Sequence, residues 1–302
     1  MNDGQLGWLE HYVLPAIEGE PPEEAVAVLF RWLGTERLVP MSAVRRGVTL
    51  EPPPDDFIGD RNAAFKIFIV AERFDDPEAF RRKAEELCAY IFSHQPFGEA
   101  FDKNLLAASL LYWQSNNVTG MFDTPDPQGP ADERRFFGNM VVAREQLLTW
   151  INQRGRVLIL INSEERGGAG GNQFYPAWGS IGSRHWKEVA LHELGHSLGL
   201  ADEYSAKGPN NIIYNNEPNV SQEPVPSKVG WLCPVTVGDD LSPSHPTGSQ
   251  SGILQNVVGT FQGAFYSEHW YRPTADCLMR SVADGSIFCC VCQRKVASEL
   301  ML

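Results

Sequence analysis

His192-Glu193-Leu194-Gly195-His196-Ser197-Leu198-Gly199-Leu200-Ala201-Asp202-Glu203-Tyr204 is the stretch on which the reading of this chain turns. It contains His-Glu-x-x-His. On a helix, side chains four residues apart share a face, with Cβ atoms about 5–6 Å apart. Two imidazoles at that separation can both reach a zinc ion at about 2.0–2.1 Å. Glu193, a quarter turn on, reaches a water at the same place without ligating the metal. Two His leave the site incomplete. In a straight helix Asp202 would lie ~15 Å along the axis from His192, too far to share an ion. Gly199 offers the remedy, because glycine adopts positive φ, ends a helix and turns the chain back. The candidate ligands are therefore His192, His196 and Asp202, with Glu193 as general base.

Outward from this stretch, strands and helices alternate. Phe65–Ala71 is short, apolar and rich in strand formers. Between Pro77 and His94, residues Phe80, Ala84, Leu87, Cys88 and Ile91 fall on one face of a 3.6-residue period, predicting a helix. Asn104–Trp113 is a second strand candidate, and Asp132–Gln153 a second helix. Val157–Ile161 is a continuous apolar run, the mark of a strand buried on both faces. The loop Gly167-Gly168-Ala169-Gly170-Gly171 follows; it lacks the Gly-Lys-Ser/Thr ending of a phosphate loop and reads as a connector or as a wall of the cleft. Arg184–Leu198 predicts the helix that carries the two His, and Cys289–Leu300 a last helix. The order implies an α/β domain. Upstream, Pro22–Gly34 reads as a helix, and Pro52-Pro53-Pro54 breaks regular structure. A boundary there divides the chain into a small N-terminal segment, 1–54, and a main domain, 55–302. From Ala201 to about Gly263 periodicity is lost. Trp231, Phe261, Phe265, Tyr266 and Trp270 in or beside that stretch read as core filling or as a wall of the cleft.

Composition narrows the alternatives. The chain has 302 residues, 43% hydrophobic and 21% charged, which is globular. Its formal net charge of −13 argues against a nucleic-acid binder, since neutralising phosphates needs clustered cations. No apolar run approaches the roughly 18 residues of a membrane span. No secretory signal opens the chain as given, which by itself favours a cytoplasmic location. The other histidines, His11, His94, His185, His245 and His269, have no partner at ligand spacing and read as surface or satisfied groups.

The extended motif His-Glu-x-x-His-x-x-Gly-x-x-Asp resembles the metzincin clan of zinc endopeptidases. Further segments resemble one family of that clan, the bacterial IgA-peptidase-type metallopeptidases: Val157–Ser163 with the Gly loop, Glu188–Leu191, Ala201–Tyr204, Glu217–Asn219, Gly259–Tyr266, Tyr271–Pro273 and Cys277–Arg280. The resemblance implies a twisted mixed sheet, an active-site helix, and a Met-turn placing Met279 as an apolar floor under the metal. It also implies one catalytic Zn2+, a peptide or protein substrate and an extracellular setting. In that family an extra residue often precedes the Leu-Ala-Asp-Glu-Tyr run, so Glu203 stands beside Asp202 as a candidate third ligand. Tyr204, Tyr266 and Tyr271 are candidates for supporting an oxyanion. Phe288-Cys289-Cys290-Val291-Cys292 resembles the fragment with which archaemetzincins, another group of the clan, bind a second zinc. There a Cys directly follows the third ligand, a position held here by Glu203. A structural ion on Cys277, Cys289 and Cys292, with Cys233 or Cys290 as a fourth, competes with a disulfide such as Cys277–Cys292 and with buried free thiols. Two other functions stand against the endopeptidase: a zinc-stabilised binding module for glycans or envelope polymers, and a zinc amidase acting on a non-peptide amide. Oligomeric state is not legible.

Overall fold

The computed structural model describes residues 27–32, 35–40, 56–112, 154–170, 176–205, 217–226, 228–231 and 258–301. The chain divides into two compact units, Met1–Thr49 with Ala206–Asn216, and Leu50–Ser205 with Glu217–Leu302. In the first, β1 (Ala27–Trp32) and β2 (Thr35–Pro40) form an antiparallel pair in which Trp32 faces Thr35. This replaces the helix expected over Pro22–Gly34. Val26, Val28, Phe30 and Trp32 recur at a period of two, and β-branched and aromatic residues favour a pleated strand. A short apolar run fits both periods, and here the two-residue spacing decides.

The second unit is built on a six-stranded mixed sheet in the order β3-β5-β4-β6-β8-β7. Its strands are β3 (Asp56–Ile58), β4 (Phe65–Glu72), β5 (Leu106–Leu111), β6 (Gly155–Ile161), β7 (Gly168–Ala169) and β8 (Ala177–Ser180). The four central strands run parallel, while β3 and β7 run antiparallel at the two edges. Burial of β5 and nearly all of β4 and β6 on both faces matches their unbroken apolar sequence.

Helix α1 (Pro77–Phe92) crosses from β4 toward β5. Asp76 caps it, its carboxylate accepting from the amides of Glu78 and Ala79, and Pro77 occupies the first turn, where its missing N–H costs nothing. Phe80, Ala84, Leu87, Cys88 and Ile91 are its buried face, the residues selected by periodicity. The short α2 (Phe97–Asp102) follows. Helix α3 (Trp186–Ser197) carries the His-Glu-x-x-His motif and packs on β8, with Ala190 over Gly179. The antiparallel pair β9 (Phe261–Ala264) and β10 (Ser267–Arg272), and helix α4 (Cys290–Leu300), complete the described elements. Arg156 of β6 joins the two helices. It donates to the Ser197 carbonyl at the end of α3 (2.6 Å) and pairs with Glu299 of α4 (2.9 Å).

One expectation needs adjustment, and one pair of alternatives resolves. The Gly loop is no mere connector, since Gly168–Ala169 forms the edge strand β7. Within the stretch that lacks periodicity, Trp231 is buried and donates from Nε1 to the Pro218 carbonyl, so it is core. Phe265 and Trp270 pack on a small cluster of Ala201, Val220 and Ala264. The helix expected over Asp132–Gln153 lies outside the described residues, as do Cys233, His11 and His245. Among the described residues no helix is long and apolar enough to cross a membrane.

Candidate functional site

Helix α3 is terminated by Gly199. Its φ is +85°, and the Leu200 amide bonds the Gly195 carbonyl while the Gly199 amide bonds that of His196. This is the Schellman arrangement, in which a left-handed residue satisfies the last carbonyls of a helix and reverses the chain. Asp202 is thereby returned to the face that holds the two histidines.

Three atoms converge there. His192 Nε2 and His196 Nε2 are 3.1 Å apart, and Asp202 Oδ1 lies 3.1 and 3.3 Å from them. Ligands of a tetrahedral zinc at about 2.0–2.1 Å stand about 3.3 Å from one another, so the triangle matches one face of such a polyhedron. The tautomers agree. His192 Nδ1 sits 2.9 Å from the Leu278 carbonyl and His196 Nδ1 2.8 Å from the Leu200 carbonyl. A carbonyl only accepts, so each Nδ1 carries the proton and each neutral Nε2 presents a lone pair to its neighbours. Asp202 Oδ1 is itself buried without a hydrogen-bond partner. Three converging lone pairs repel unless a cation or a proton lies among them, and this donor set fits a divalent metal.

The electrostatics describe the alternative occupant, a proton. Burial opposes charge on His196, but the Asp202 carboxylate, Glu193 and the Leu200 carbonyl outweigh it and raise the imidazole to about 9. His192 is likewise raised against its burial by Asp202 and Glu193. Burial would raise the Asp202 carboxyl, yet the two imidazoles hold it far below the ordinary carboxylate range.

Glu193 stands beside the triangle. Its Oε2 is 4.0 Å from His196 Nε2, and Glu193, His192 and His196 together have ligand atoms within 4.8 Å of one another. Strand β7 lies against it: a Cβ on Gly168 would come within 2.9 Å of Glu193 Oε1, and one on Gly170 within 2.2 Å of His196 Cβ. Only glycine lets this edge strand approach the helix so closely.

Opposite β7, the turn Cys277–Arg280 underlies the helix, closed by the Arg280 amide on the Cys277 carbonyl. Met279 is fully buried, and a Cβ on Gly195 would meet its Sδ at 2.8 Å. The same turn provides the Leu278 carbonyl that orients His192, and the Met279 carbonyl that accepts from the Glu203 amide at 2.8 Å.

The three tyrosines separate. Tyr266 donates to Asp202 Oδ2, and its hydroxyl lies 2.8 Å from that of Tyr204. Since the ionised carboxylate can only accept, the relay runs Tyr204 to Tyr266 to Asp202. Both phenols are pushed up, by burial first and then by the Asp202 charge. Tyr266 and Phe265 form the two-residue turn between β9 and β10, both in the left-handed region (φ +58° and +49°). Two side-chain-bearing residues in that region are strained, and backbone bonds offset the strain: the Phe265 amide donates to the Asp202 carbonyl and the Tyr266 amide to that of Tyr204. Tyr271 lies apart, in β10, exchanging backbone bonds with Ser221.

Glu203 turns away from the histidines. It lies with Cys277, Cys289 and Cys292, all four buried and with ligand atoms within 4.8 Å of one another. The three cysteines are free thiols, while Cys290 is engaged in a disulfide. Burial pushes the Glu203 carboxyl up to about 8 against the opposing pull of Asn219 and Cys292. Asn219, fully buried, is a site residue that motif reading did not single out. Its side chain accepts from the Ala201 amide and donates to the Ala201 carbonyl and to Glu203 Oε1. The signal for it was present in Glu217-Pro218-Asn219, a short polar segment in a stretch without periodicity.

A mixed α/β unit with a His-Glu-x-x-His helix ended by glycine and paired imidazoles facing a buried carboxylate is the frame of a metallopeptidase. The family model of IgA peptidase M64 matches residues 132–243 and 249–300, more than half of the chain, and the protein belongs to that family. No curated protein matches the chain.

Proposed function

We propose that this chain is a zinc-dependent endopeptidase of the metzincin type, with residues 55–302 as its catalytic domain and 1–54 as an accessory segment or prosegment. The observation that carries the reading is the triangle of His192 Nε2, His196 Nε2 and Asp202 Oδ1 with the Glu193 carboxylate just outside it. His192, His196 and Asp202 would hold the ion, whose chemistry when bound is to polarise a scissile carbonyl and acidify a water. Glu193 takes the proton of the attacking water and delivers it to the leaving amine. Tyr266, donating to Asp202 Oδ2, keeps that carboxylate ionised and oriented with Oδ1 toward the imidazoles. His196, with 18% of its side chain exposed against 7% for His192, marks the side from which substrate arrives. The edge strand β7 suits an extended peptide, which would pair along it and run past Glu193. Met279 serves as the Met-turn residue, holding the helix from below.

A zinc-stabilised binding module would need no carboxylate beside the ligand triangle, and the position of Glu193 favours hydrolysis. Glu193→Gln tests the reading. Zinc should stay bound, while cleavage of a proteome-derived peptide library falls by about 10²–10⁴-fold. Undiminished, chelator-sensitive cleavage by the metal-loaded variant refutes the assignment.

A further inference from the structure

Three thiols and an acid that the His–Asp centre does not use meet behind it. Cys277 Sγ and Cys292 Sγ are 3.7 Å apart. A disulfide needs about 2.05 Å, whereas two thiolates on a tetrahedral zinc, each at about 2.3 Å, stand about 3.8 Å apart. Glu203 Oε1 lies 3.1 Å from Cys292 Sγ, and the Cys289 amide lies 3.3 Å from Cys277 Sγ. Cys289 and Cys292 are spaced C-x-x-C at the start of α4, which turns both sulfurs to one side.

An independent observation comes from the acid. Glu203 is 0% exposed, and its Oε2 is buried with no hydrogen-bond partner. Burying a carboxylate is costly unless a cation accompanies it. Asn219 and Cys292 both donate to Oε1, and Arg272, whose charge acts on Glu203, gives its hydrogen bonds to the carbonyls of Gln262 and Gly263, which leaves Oε2 without a donor. Nor is an acid among three thiols an apolar core that has merely acquired sulfur. It is a set of four donors, three of them soft sulfurs that prefer zinc over magnesium or calcium.

We infer that Glu203, Cys277, Cys289 and Cys292 form a second, structural zinc site, closed by four protein ligands. Glu203 takes the fourth position, for which Cys233 or Cys290 stood as candidates in the sequence. The site ties two segments that build the first centre to helix α4. Glu203 follows Asp202 directly. Cys277 precedes Leu278, whose carbonyl orients His192, and Met279, which packs under Gly195. Cys289 and Cys292 anchor α4 to both. The second ion thus holds the ligand loop and the turn in register, and takes no part in bond cleavage.

The inference does not depend on the peptidase reading, and its test separates the two. The full chain carrying His192→Ala and His196→Ala empties the first centre. It should retain one zinc per chain. After exchange with Co2+ it should show thiolate-to-metal charge-transfer absorption in the near ultraviolet, a band absent when Cys289→Ser and Cys292→Ser are added. The unsubstituted chain should carry two zinc ions by native mass spectrometry. The assignment is overturned if the doubly substituted chain carries no stoichiometric zinc, carries iron instead, lacks the cobalt–thiolate band, or shows a disulfide among the three cysteines. Should the serine variant fail to fold, the cobalt spectrum of the His-substituted chain decides alone.

Discussion

Tyr266→Phe removes one oxygen atom and tests how Asp202, the proposed third ligand, is held. The ring stays, so packing is unchanged, but Asp202 Oδ2 loses its donor and the Tyr204 hydroxyl loses its acceptor. A hydrogen bond to a charged group contributes about 1.5–3 kcal/mol, and a buried hydroxyl left without a partner costs about 1–3 kcal/mol. Partners of ligating carboxylates typically govern metal affinity by about 10–100-fold. Two outcomes follow. Zinc affinity, measured by competition with a chromogenic chelator, should fall by about 10–100-fold. Stability of the metal-free chain, measured by urea unfolding in chelator, should fall by about 2–4 kcal/mol. Tyr204→Phe should cost less in both, because Tyr266 still reaches Asp202. Adding Tyr204→Phe to Tyr266→Phe should recover part of the lost stability, since it removes the orphaned hydroxyl. If Tyr204→Phe weakens zinc as much as Tyr266→Phe, or if the double variant is the sum of the singles, the relay is not organised as described.

Other consequences are open to direct measurement. With His196 raised to about 9, the metal-free site holds a proton at neutral pH, so zinc uptake should release about one proton between pH 6.5 and 9; calorimetry in buffers of different ionisation enthalpy reads this as a buffer-dependent heat, and a buffer-independent heat contradicts it. By the same linkage the raised imidazole stabilises the metal-free fold fully below its unfolded value near 6.5, and that contribution disappears as pH rises through about 9. The depressed Asp202 carboxyl works at the other end, stabilising above its ordinary range and losing effect in acid; chelated protein should therefore be less stable at pH 9.5 than at pH 6.5 by urea titration. Gly170→Ala places a methyl 2.2–2.4 Å from His196 atoms. It should destabilise the fold by about 1–3 kcal/mol and lower zinc affinity through the displaced ring, whereas wild-type values for both would show that the segment just after β7 yields freely.

The buried face of α1, the doubly buried β6 and the motif helix with its glycine stop were all readable from local pattern, because each is fixed by contacts close in sequence or by composition alone. The hairpin of β9 and β10 was not. Its turn is Phe265-Tyr266, without the Asn-Gly or Asp-Gly that announces such turns, and the docking of their amides on Asp202 and Tyr204 is what makes those residues tolerable there. Strand β7 is two residues long and glycine-bearing, below any periodicity threshold. The choice between Asp202 and Glu203 as the acid facing the histidines also depended on tertiary structure. The chain leaving Gly199 sends neighbouring carboxylates to different sides, and Asn219, reached only through the fold, clamps the second one. The N-terminal pair β1 and β2 shows the opposite lesson: apolar recurrence was present, but it was read at the wrong period.

The carbonyl that orients His192 belongs to a residue 86 positions later in the chain. Tyr266 and Met279 also arrive late, and α4 follows them. During synthesis at about 5–20 residues per second, His192 therefore waits roughly 4–17 seconds for the carbonyl that aims it, whereas His196 finds its own at Leu200, four residues on. A ribosome-bound fragment that already displays His-Glu-x-x-His has neither its floor nor its aligned acid. The geometry of this corner of the fold is therefore a late product of synthesis, set by chain that emerges well after the motif itself.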